Sequence, residues 1–178
     1  MKVIAISGSL RAASSNSQLL VALRALAPPD IEVVIDTALA DLLHVNPDLD
    51  TDPPHEAVAR FRAALRSADA VVISSPEYAH GVPGTLKNAL DWVVGSGELV
   101  GKPVALMTPS PRGTFARGAL IETLQTMSAI VTLEASIALD FATNRVTASL
   151  ITEDPAASDS LRGALDHLVQ AHASVGLA

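Results

Sequence analysis

The sequence predicts an α/β fold in which a five-stranded parallel sheet, in the order 2-1-3-4-5, carries helices on both faces as a three-layer sandwich. Short apolar runs alternate strictly with stretches of helical period along the chain. Such alternation implies a parallel sheet with right-handed crossovers. Two of the apolar runs also end in polar loops, as strands do at the ligand-binding edge of an open sheet. We expect residues 1–178 to form a single domain, because 178 residues is the size of one ordinary domain.

The elements of this fold follow in order along the chain. Residues 3–6 (VIAI) form a short apolar run typical of a buried strand, and Leu19, Leu20 and Leu23 then recur at helical spacing. Residues 70–73 (AVVI) form a second clear strand pattern. Over the whole chain we expect strands at 3–8, 31–36, 70–75, 103–108 and 130–138, and helices at 15–27, 55–67, 84–94, 116–128 and 158–173.

The loop between the first strand and the first helix, residues 8–17 (GSLRAASSNS), has the composition of a phosphate site. It ends at a helix N-terminus, where backbone N–H groups lack intrahelical acceptors and the helix dipole supplies partial positive charge. Gly8 is its only glycine, so the loop is neither a dinucleotide fingerprint nor a P-loop. Hydroxyl donors with one arginine favour a terminal monophosphate, as in FMN, although a turn that only caps a helix explains the same residues. The side chains available to a phosphate are those of Ser9, Arg11, Ser14, Ser15, Asn16 and Ser17.

A second polar loop follows the third predicted strand. Residues 76–84 (PEYAHGVPG) separate that strand from a helix that begins near Thr85. Because the carboxyl ends of parallel strands open at one edge of the sheet, both loops are expected to border the same crevice. We expect the first loop to hold a phosphate and the second to lie against a ring system.

Three short motifs in these segments carry a resemblance to a known family. They are GSLR at residues 8–11 with Ser14 and Asn16, PEY at residues 76–78, and PGTLKNALDW at residues 83–92. Together they resemble the NADPH-dependent FMN reductase family, which includes chromate, quinone and azo-dye reductases on a flavodoxin-like fold. The resemblance covers nearly the whole chain.

The resemblance implies binding roles for residues in three loops. The first loop would surround the FMN phosphate, and the second would run along the isoalloxazine through backbone groups and the Tyr78 ring. A third loop, after the fourth strand, would contact the flavin through Ser110, and its neighbours Arg112 and Arg117 are the candidates for contact with a 2′-phosphate of NADPH. The implied FMN-binding residues are Ser9, Arg11, Ser14, Ser15, Asn16, Pro76, Glu77, Tyr78, Ala79, His80 and Ser110.

The resemblance also implies an oxidoreductase without a catalytic side chain, because FMN carries the chemistry. NADPH or NADH would pass hydride to bound FMN, and a quinone, free flavin, azo compound or metal oxyanion would then take the electrons in a ping-pong cycle. Backbone N–H groups of residues 77–80 would stabilise charge on the reduced ring. A homodimer or homotetramer is implied in the same way.

Departures from the family pattern keep two other functions open. Ala79 stands where the family often has asparagine, Gly81 where it often has serine, and residues 108–115 (TPSPRGTF) where it often has a glycine-rich turn. These differences motivate, as an alternative to the reductase, a degenerate flavodoxin-like interaction protein without reductase activity. A flavin-binding electron carrier, like the flavodoxins, would share the same fold.

Composition narrows the remaining classes of function. A net charge of −7 argues against a nucleic-acid surface, and the absence of cysteine excludes disulfides and thiolate chemistry. No metal site is expected, because the histidines are scattered and the alternating Asp48, Asp50 and Asp52 lack the glycine and distal glutamate of a calcium loop. With neither a membrane span nor a signal-peptide pattern, a cytoplasmic location is expected.

Several residues have two interpretations. Residues 41–54 form the longest irregular segment and would serve as a lid or a subunit contact. Trp92 would pack in the core or at an interface, and Lys87 would meet a partner's acidic group or remain solvated. For Glu77 we favour a loop carboxylate paired with a cation over a general base, and we interpret His80 as adjacent to the flavin and not as a catalytic acid.

Overall fold

The sheet has five parallel strands in the order β2-β1-β3-β4-β5, which confirms the predicted flavodoxin-like α/β fold. The structure is a computed structural model, and it describes residues 1–11, 13–141 and 145–175, so Ala12 of the first loop lies outside the described residues. Ser7 at the end of the first strand lies opposite Ser74 at the end of the third. The strands are β1 (Lys2–Ser7), β2 (Glu32–Asp36), β3 (Ala70–Ser74), β4 (Pro103–Leu106) and β5 (Ile130–Val131).

Helices cover both faces of this sheet and form two separate cores. Because side chains alternate along a strand, Val3 and Ala5 of β1 belong to one core and Ile4 and Ile6 to the other. The helices are α1 (Ser15–Leu26), α2 (Glu56–Arg66), α3 (Gly84–Val94), α4 (Thr114–Thr126), α5 (Ala148–Glu153) and α6 (Pro155–Val175), with short 3₁₀ turns at Ala38–Ala40 and Pro47–Leu49. The first core is closed by α1, α5 and α6, and the second by α2, α3 and α4.

The fifth strand is much shorter than the predicted 130–138, because a turn interrupts it. The N–H of Leu106 in β4 donates to the side-chain Oγ of Ser136 at 3.0 Å, where a continuous strand would offer a backbone carbonyl. The chain then returns to the sheet, and Thr108 and Ala138 form an isolated parallel bridge. The prediction was wrong for the middle of this segment because the apolar pattern does not reveal that a side-chain hydroxyl replaces a backbone acceptor.

The C-terminal helical region also differs from the prediction of one helix at 158–173. It contains α5 and α6, and each begins at a polar cap. The Thr147 hydroxyl accepts the Leu150 N–H at 3.2 Å, and the Asp154 carboxylate accepts the Ala157 N–H at 2.9 Å. With Pro155 at its first position, α6 begins three residues earlier than expected, as capping residues and an N-terminal proline favour.

Residues 41–54, which we call the strap, are tied to α2 and α3. The indole Nε1 of Trp92 donates to the Leu43 carbonyl at 2.7 Å, and the Asn88 side chain bonds both the Leu43 carbonyl and the Val45 N–H. Trp92 is 1% exposed, so it is a core residue that also anchors the strap. Lys87, by contrast, pairs with Asp91 one turn along its own helix at 2.6 Å.

An arginine fixes the far end of the strap. The Arg62 guanidinium donates two hydrogen bonds, at 2.9 and 3.0 Å, to the Asp50 carboxylate. These bonds hold the pKa of Asp50 below its usual value. The same guanidinium also donates to the Trp92 carbonyl, so one side chain joins the strap to both helices.

Two general features of the described residues bear on function. No helix among them has the length and apolar character needed to cross a membrane. Histidine, aspartate and glutamate side chains in the same ranges form no group of three or more that would hold a metal ion.

Candidate functional site

Three loops leave the carboxyl edge of the sheet side by side. They are the first loop (residues 8–14), the second loop (residues 75–83) and the third loop (residues 107–113), which follow the neighbouring strands β1, β3 and β4. The N–H of Gly8 donates to the Ser74 carbonyl at 2.8 Å, and the N–H of Met107 donates to the Ile73 carbonyl at 2.9 Å. The direction of strand order reverses between β1 and β3, which is where open parallel sheets bind ligands.

The first loop is closed by its own polar groups. The Ser14 hydroxyl caps α1 by accepting the Asn16 N–H at 3.3 Å. The Ser9 hydroxyl accepts the Arg11 N–H at 3.4 Å, and the Arg11 guanidinium donates to the Ala13 carbonyl at 2.7 Å. The capping explanation is therefore correct for Ser14, and the same geometry presents the N-terminus of α1 at this edge of the sheet.

Gly8 brings the first and second loops into close approach. A Cβ on this residue would lie 2.7 Å from the Ser75 Oγ and 3.1 Å from the Leu86 Cδ2. Contacts that short displace a neighbouring group, so this crossing requires glycine. The mostly buried Asn16 strengthens the junction, because its side-chain oxygen accepts the Ser74 hydroxyl at 3.0 Å.

Ser15, the first residue of α1, has a different environment from the first loop that precedes it. Its hydroxyl accepts the N–H of Val146, which precedes α5, at 3.3 Å. Ser15 therefore links the start of α1 to the C-terminal region, a contact that sequence reasoning did not anticipate.

The second loop is a two-residue hairpin. Tyr78 and Gly81 exchange hydrogen bonds of 3.0 and 2.9 Å, while Ala79 and His80 between them have φ angles of +49° and +59°. Two positive φ angles identify a primed turn, which prefers asparagine and glycine at these positions. Tyr78, Ala79 and His80 are all exposed, so this predicted ring-binding segment lies open at the sheet edge.

Two contacts join the second loop to the start of α4. The Glu77 carboxylate accepts the Ala116 N–H at 2.8 Å, and the rings of His80 and Phe115 stack with centroids 4.3 Å apart. Gly113 makes this approach possible, because its φ is +91° and a Cβ there would lie 3.3 Å from the Glu77 Cβ. The recorded partner of Glu77 is thus a helix N-terminus, where a carboxylate is stabilised, and not the cation we expected.

The third loop covers a cavity of about 50 Å³ between the ends of β3 and β4 and the start of α4. Ser110 lies in this loop, where its hydroxyl accepts the Arg112 N–H at 3.3 Å. Arg117 lines the cavity, and its Nε is buried with no hydrogen-bond partner among the described residues. A buried guanidinium N–H without an acceptor is costly, and the same guanidinium donates through Nη2 to the Ser136 carbonyl at 3.5 Å, so a cationic group stands in this wall of the cavity.

Several residues at this edge were absent from the sequence-based site. Ser74 and Ser75 join the first and second loops, but nothing in their local sequence indicates which loop they meet. The sequence did contain an indication for Phe115, because it is one of three phenylalanines and it follows a polar loop after a predicted strand.

Comparison with known proteins identifies the family. A model described as NADPH-dependent FMN reductase matches residues 1–144. The chain is 38% identical over 120 residues to a quinone reductase of Pseudomonas putida, an alignment that covers 66% of this chain and 64% of that protein. It is 39% identical over 115 residues to an NAD(P)H-dependent FMN reductase of Pseudomonas aeruginosa, with 62% and 60% covered. The chain therefore matches less than two thirds of the length of these relatives.

A solved structure is similar over a greater length. FerB, a flavoenzyme NAD(P)H:(acceptor) oxidoreductase from Paracoccus denitrificans, superposes with a TM-score of 0.77 at 28% sequence identity, and the alignment covers 97% of each chain. This likeness extends through the C-terminal helices that lie beyond the family match. With the family model matched across residues 1–144 and the three loops meeting at the carboxyl edge of the sheet, the chain belongs to the NADPH-dependent FMN reductase family.

Proposed function

We propose that the protein is an NAD(P)H-dependent FMN reductase that transfers electrons from reduced nicotinamide to a small-molecule acceptor. The observation that carries the proposal is the junction of the first and second loops at the point where strand order reverses, in a chain of this family. In the net reaction NAD(P)H loses a hydride and becomes NAD(P)⁺. A quinone acceptor gains that hydride's two electrons and two protons, one of which comes from solvent.

The first loop would hold the FMN phosphate. The α1 N-terminus offers partial positive charge there, and Ser9, Arg11 and Ser14 supply side-chain donors beside it. Asn16 and Ser15 keep their predicted binding roles, but each also makes the structural hydrogen bond described above. The fit of the group is supported by the close crossing at Gly8, where the absence of a Cβ lets the first loop approach the Ser75 side chain.

The second and third loops would border the flavin ring. The hairpin uses the N–H groups of Tyr78 and Gly81, whereas those of Ala79 and His80 donate to no acceptor among the described residues. These two N–H groups would stabilise negative charge on a reduced ring, with Pro76 and Glu77 contributing backbone contacts. When bound, FMN supplies the ability to accept a hydride and to return the electrons.

Ser110 and the unpaired Nε of Arg117 would complete this side of the site. Arg112 is exposed in the third loop and is the better placed of the two arginines for the 2′-phosphate of NADPH. Nicotinamide and acceptor would use the same open face in turn, which is the ping-pong order.

Assembly and location belong to the same proposal. Leu90 and Val93 of α3 are buried in the core, so a homodimer or homotetramer would use Val94 and the exposed apolar side chains of the strap, Leu43 and Val45. We also propose that residues 1–178 form a single domain, since both cores share one sheet. A cytoplasmic location would supply the reduced nicotinamide.

An absorbance spectrum of the purified protein tests the function. After FMN addition and gel filtration we expect a retained flavin band that bleaches when NADPH is added without oxygen. Riboflavin, which lacks the phosphate, is the matched control and should be retained far less. A flavin band that NADPH fails to bleach would favour an electron carrier, and a colourless protein would favour an interaction role.

A further inference from the structure

An exposed aromatic stack stands beside the proposed flavin site. Phe115 near the start of α4 is 60% exposed, and one face of its ring lies against the exposed His80 at an interplanar angle of 19°. A phenylalanine side chain this exposed at a ligand-binding edge would gain free energy if a ligand covered it. The stack leaves the other ring face of Phe115 without an aromatic partner among the described residues.

The backbone around this pair holds it in place. The backbone is restrained on both sides of the stack. Glu77 caps the N-terminus of α4, which carries Phe115, and the hydrogen bonds between Tyr78 and Gly81 close the turn that carries His80. Gly113, with its left-handed φ, begins α4 directly against Glu77. The backbone segments that carry the two rings are thus positioned before any ligand arrives, which favours binding.

The pair also joins two of the three loops that border the crevice. His80 belongs to the second loop, which is proposed to contact the flavin ring, and Phe115 follows the third loop. Phe115 lies next to residues that line the cavity at this edge, so its exposed ring is within reach of a planar ring bound between the two loops. Offset stacking between aromatic rings is favourable at centroid separations of about 4.5–7 Å.

We propose that Phe115 is a specificity-determining residue that stacks a planar, conjugated acceptor ring such as that of a quinone, with His80 supporting its other face. The inference rests on the proposed reductase function and deepens it by assigning the residue that selects ring-shaped acceptors. Phe115 acts on ring-shaped acceptors only, so an acceptor without a planar ring gains nothing from it.

Steady-state kinetics of the FMN-loaded protein test the proposal. Phe115→Leu keeps an apolar side chain but removes the aromatic face, Phe115→Tyr restores it, and Val100→Ala is a control at an equally exposed apolar site. We expect Phe115→Leu to raise KM for 1,4-naphthoquinone about three- to tenfold, from the usual strength of aromatic pairs. The Phe115→Tyr and Val100→Ala proteins should have the wild-type KM for 1,4-naphthoquinone. In all three variants kcat/KM for ferricyanide, which has no planar ring, should be unchanged.

Two further measurements separate this proposal from the function on which it rests. Because nicotinamide is also a planar ring but NADPH is held through its phosphates as well, Phe115→Leu should change the rate at which NADPH bleaches bound flavin anaerobically by less than it changes KM for 1,4-naphthoquinone. An equal or larger effect on bleaching would reassign the platform to nicotinamide and overturn the acceptor assignment. In proton NMR without NADPH, 1,4-naphthoquinone should shift the His80 ring resonances in the wild type but not in Phe115→Leu. Equal shifts in both proteins, or an unchanged quinone KM, would overturn the proposal even if reductase activity is present. If the wild type failed to reduce its flavin, the NMR shifts would still decide whether a quinone stacks here.

Discussion

At the scale of single residues, the turn of the second loop carries measurable strain. Ala79 has a φ of +49°, a left-handed conformation that costs an ordinary L-residue about 1–2 kcal/mol and that asparagine tolerates better. We expect Ala79→Asn to raise the free energy of unfolding by about 0.5–1 kcal/mol, as relief of part of that strain. Urea unfolding measures the change. Ala119→Asn in the middle of α4 is the control and should be destabilising, since asparagine is a poorer helix former than alanine. An Ala79→Asn protein no more stable than the wild type would contradict the strained turn.

Gly8 shows how one missing side chain positions two loops. In Gly8→Ala the new Cβ would lie 2.7 Å from the Ser75 Oγ and 3.1 Å from both the Ser75 Cβ and the Leu86 Cδ2, so rotation of the hydroxyl alone does not relieve the contact and we expect the first loop to shift. We expect the affinity for FMN to fall at least tenfold, because a shift of about 1 Å in the first loop is enough to misplace the groups that would bind the phosphate. Fluorescence titration with FMN measures the loss. The double variant Gly8→Ala/Ser75→Ala removes the closest clashing atom and should recover part of the affinity, whereas an unchanged affinity in Gly8→Ala would show that the crossing is not tight.

At the scale of elements, the position of the strap depends on the Arg62–Asp50 ion pair, which protonation of Asp50 at low pH disrupts. In the folded protein the hydrogen bonds from the Arg62 guanidinium hold the pKa of Asp50 below 3.8, the usual value for an aspartate. A lowered carboxyl pKa contributes stability above pH 3.8, and this contribution is lost as the pH falls through the lower, folded value. We therefore expect Asp50→Asn to lower Tm at pH 7, with the difference from wild type shrinking below about pH 4. Thermal unfolding across this pH range measures it, with Asp48→Asn as a control in the same strap. A difference that persists at low pH would mean that the pair stabilises the strap without its charge.

The strap also shows why an irregular segment is difficult to interpret from sequence. Its proline and aspartate content indicates a loop, and its length favours a lid. The side chains that hold it, Trp92, Asn88 and Arg62, lie on helices remote in sequence. Their hydrogen bonds make the strap an anchored part of the second core's surface, which no local pattern reveals.

At the scale of the whole molecule, a ligand that binds only the folded protein must stabilise it. Free FMN at one hundred times its Kd should raise the free energy of unfolding by about 2.7 kcal/mol. Thermal unfolding with increasing FMN measures the shift in Tm. Riboflavin at the same concentrations should give a smaller shift, because it cannot reach the α1 N-terminus with a phosphate. Equal shifts in Tm from FMN and riboflavin would show that the first loop does not bind the phosphate, although both ligands would still bind through the flavin ring.

The sequence alone determined the fold class, the strand order and most element positions of this protein. Those features follow from the alternation of apolar runs with helical periods, a local pattern that burial on both faces of a parallel sheet imposes. It also indicated the family, through motifs at residues 8–16 and 76–92 that the match across residues 1–144 confirmed. The tertiary structure decided which side chains meet. The Gly8–Ser75 approach, the Glu77 cap on α4 and the His80–Phe115 stack all join segments that are distant along the chain, and the burial of the Arg117 Nε is likewise a product of packing. Their geometry depends on how the helices pack against the sheet, and that packing is set by the shapes of both cores together, not by any one segment.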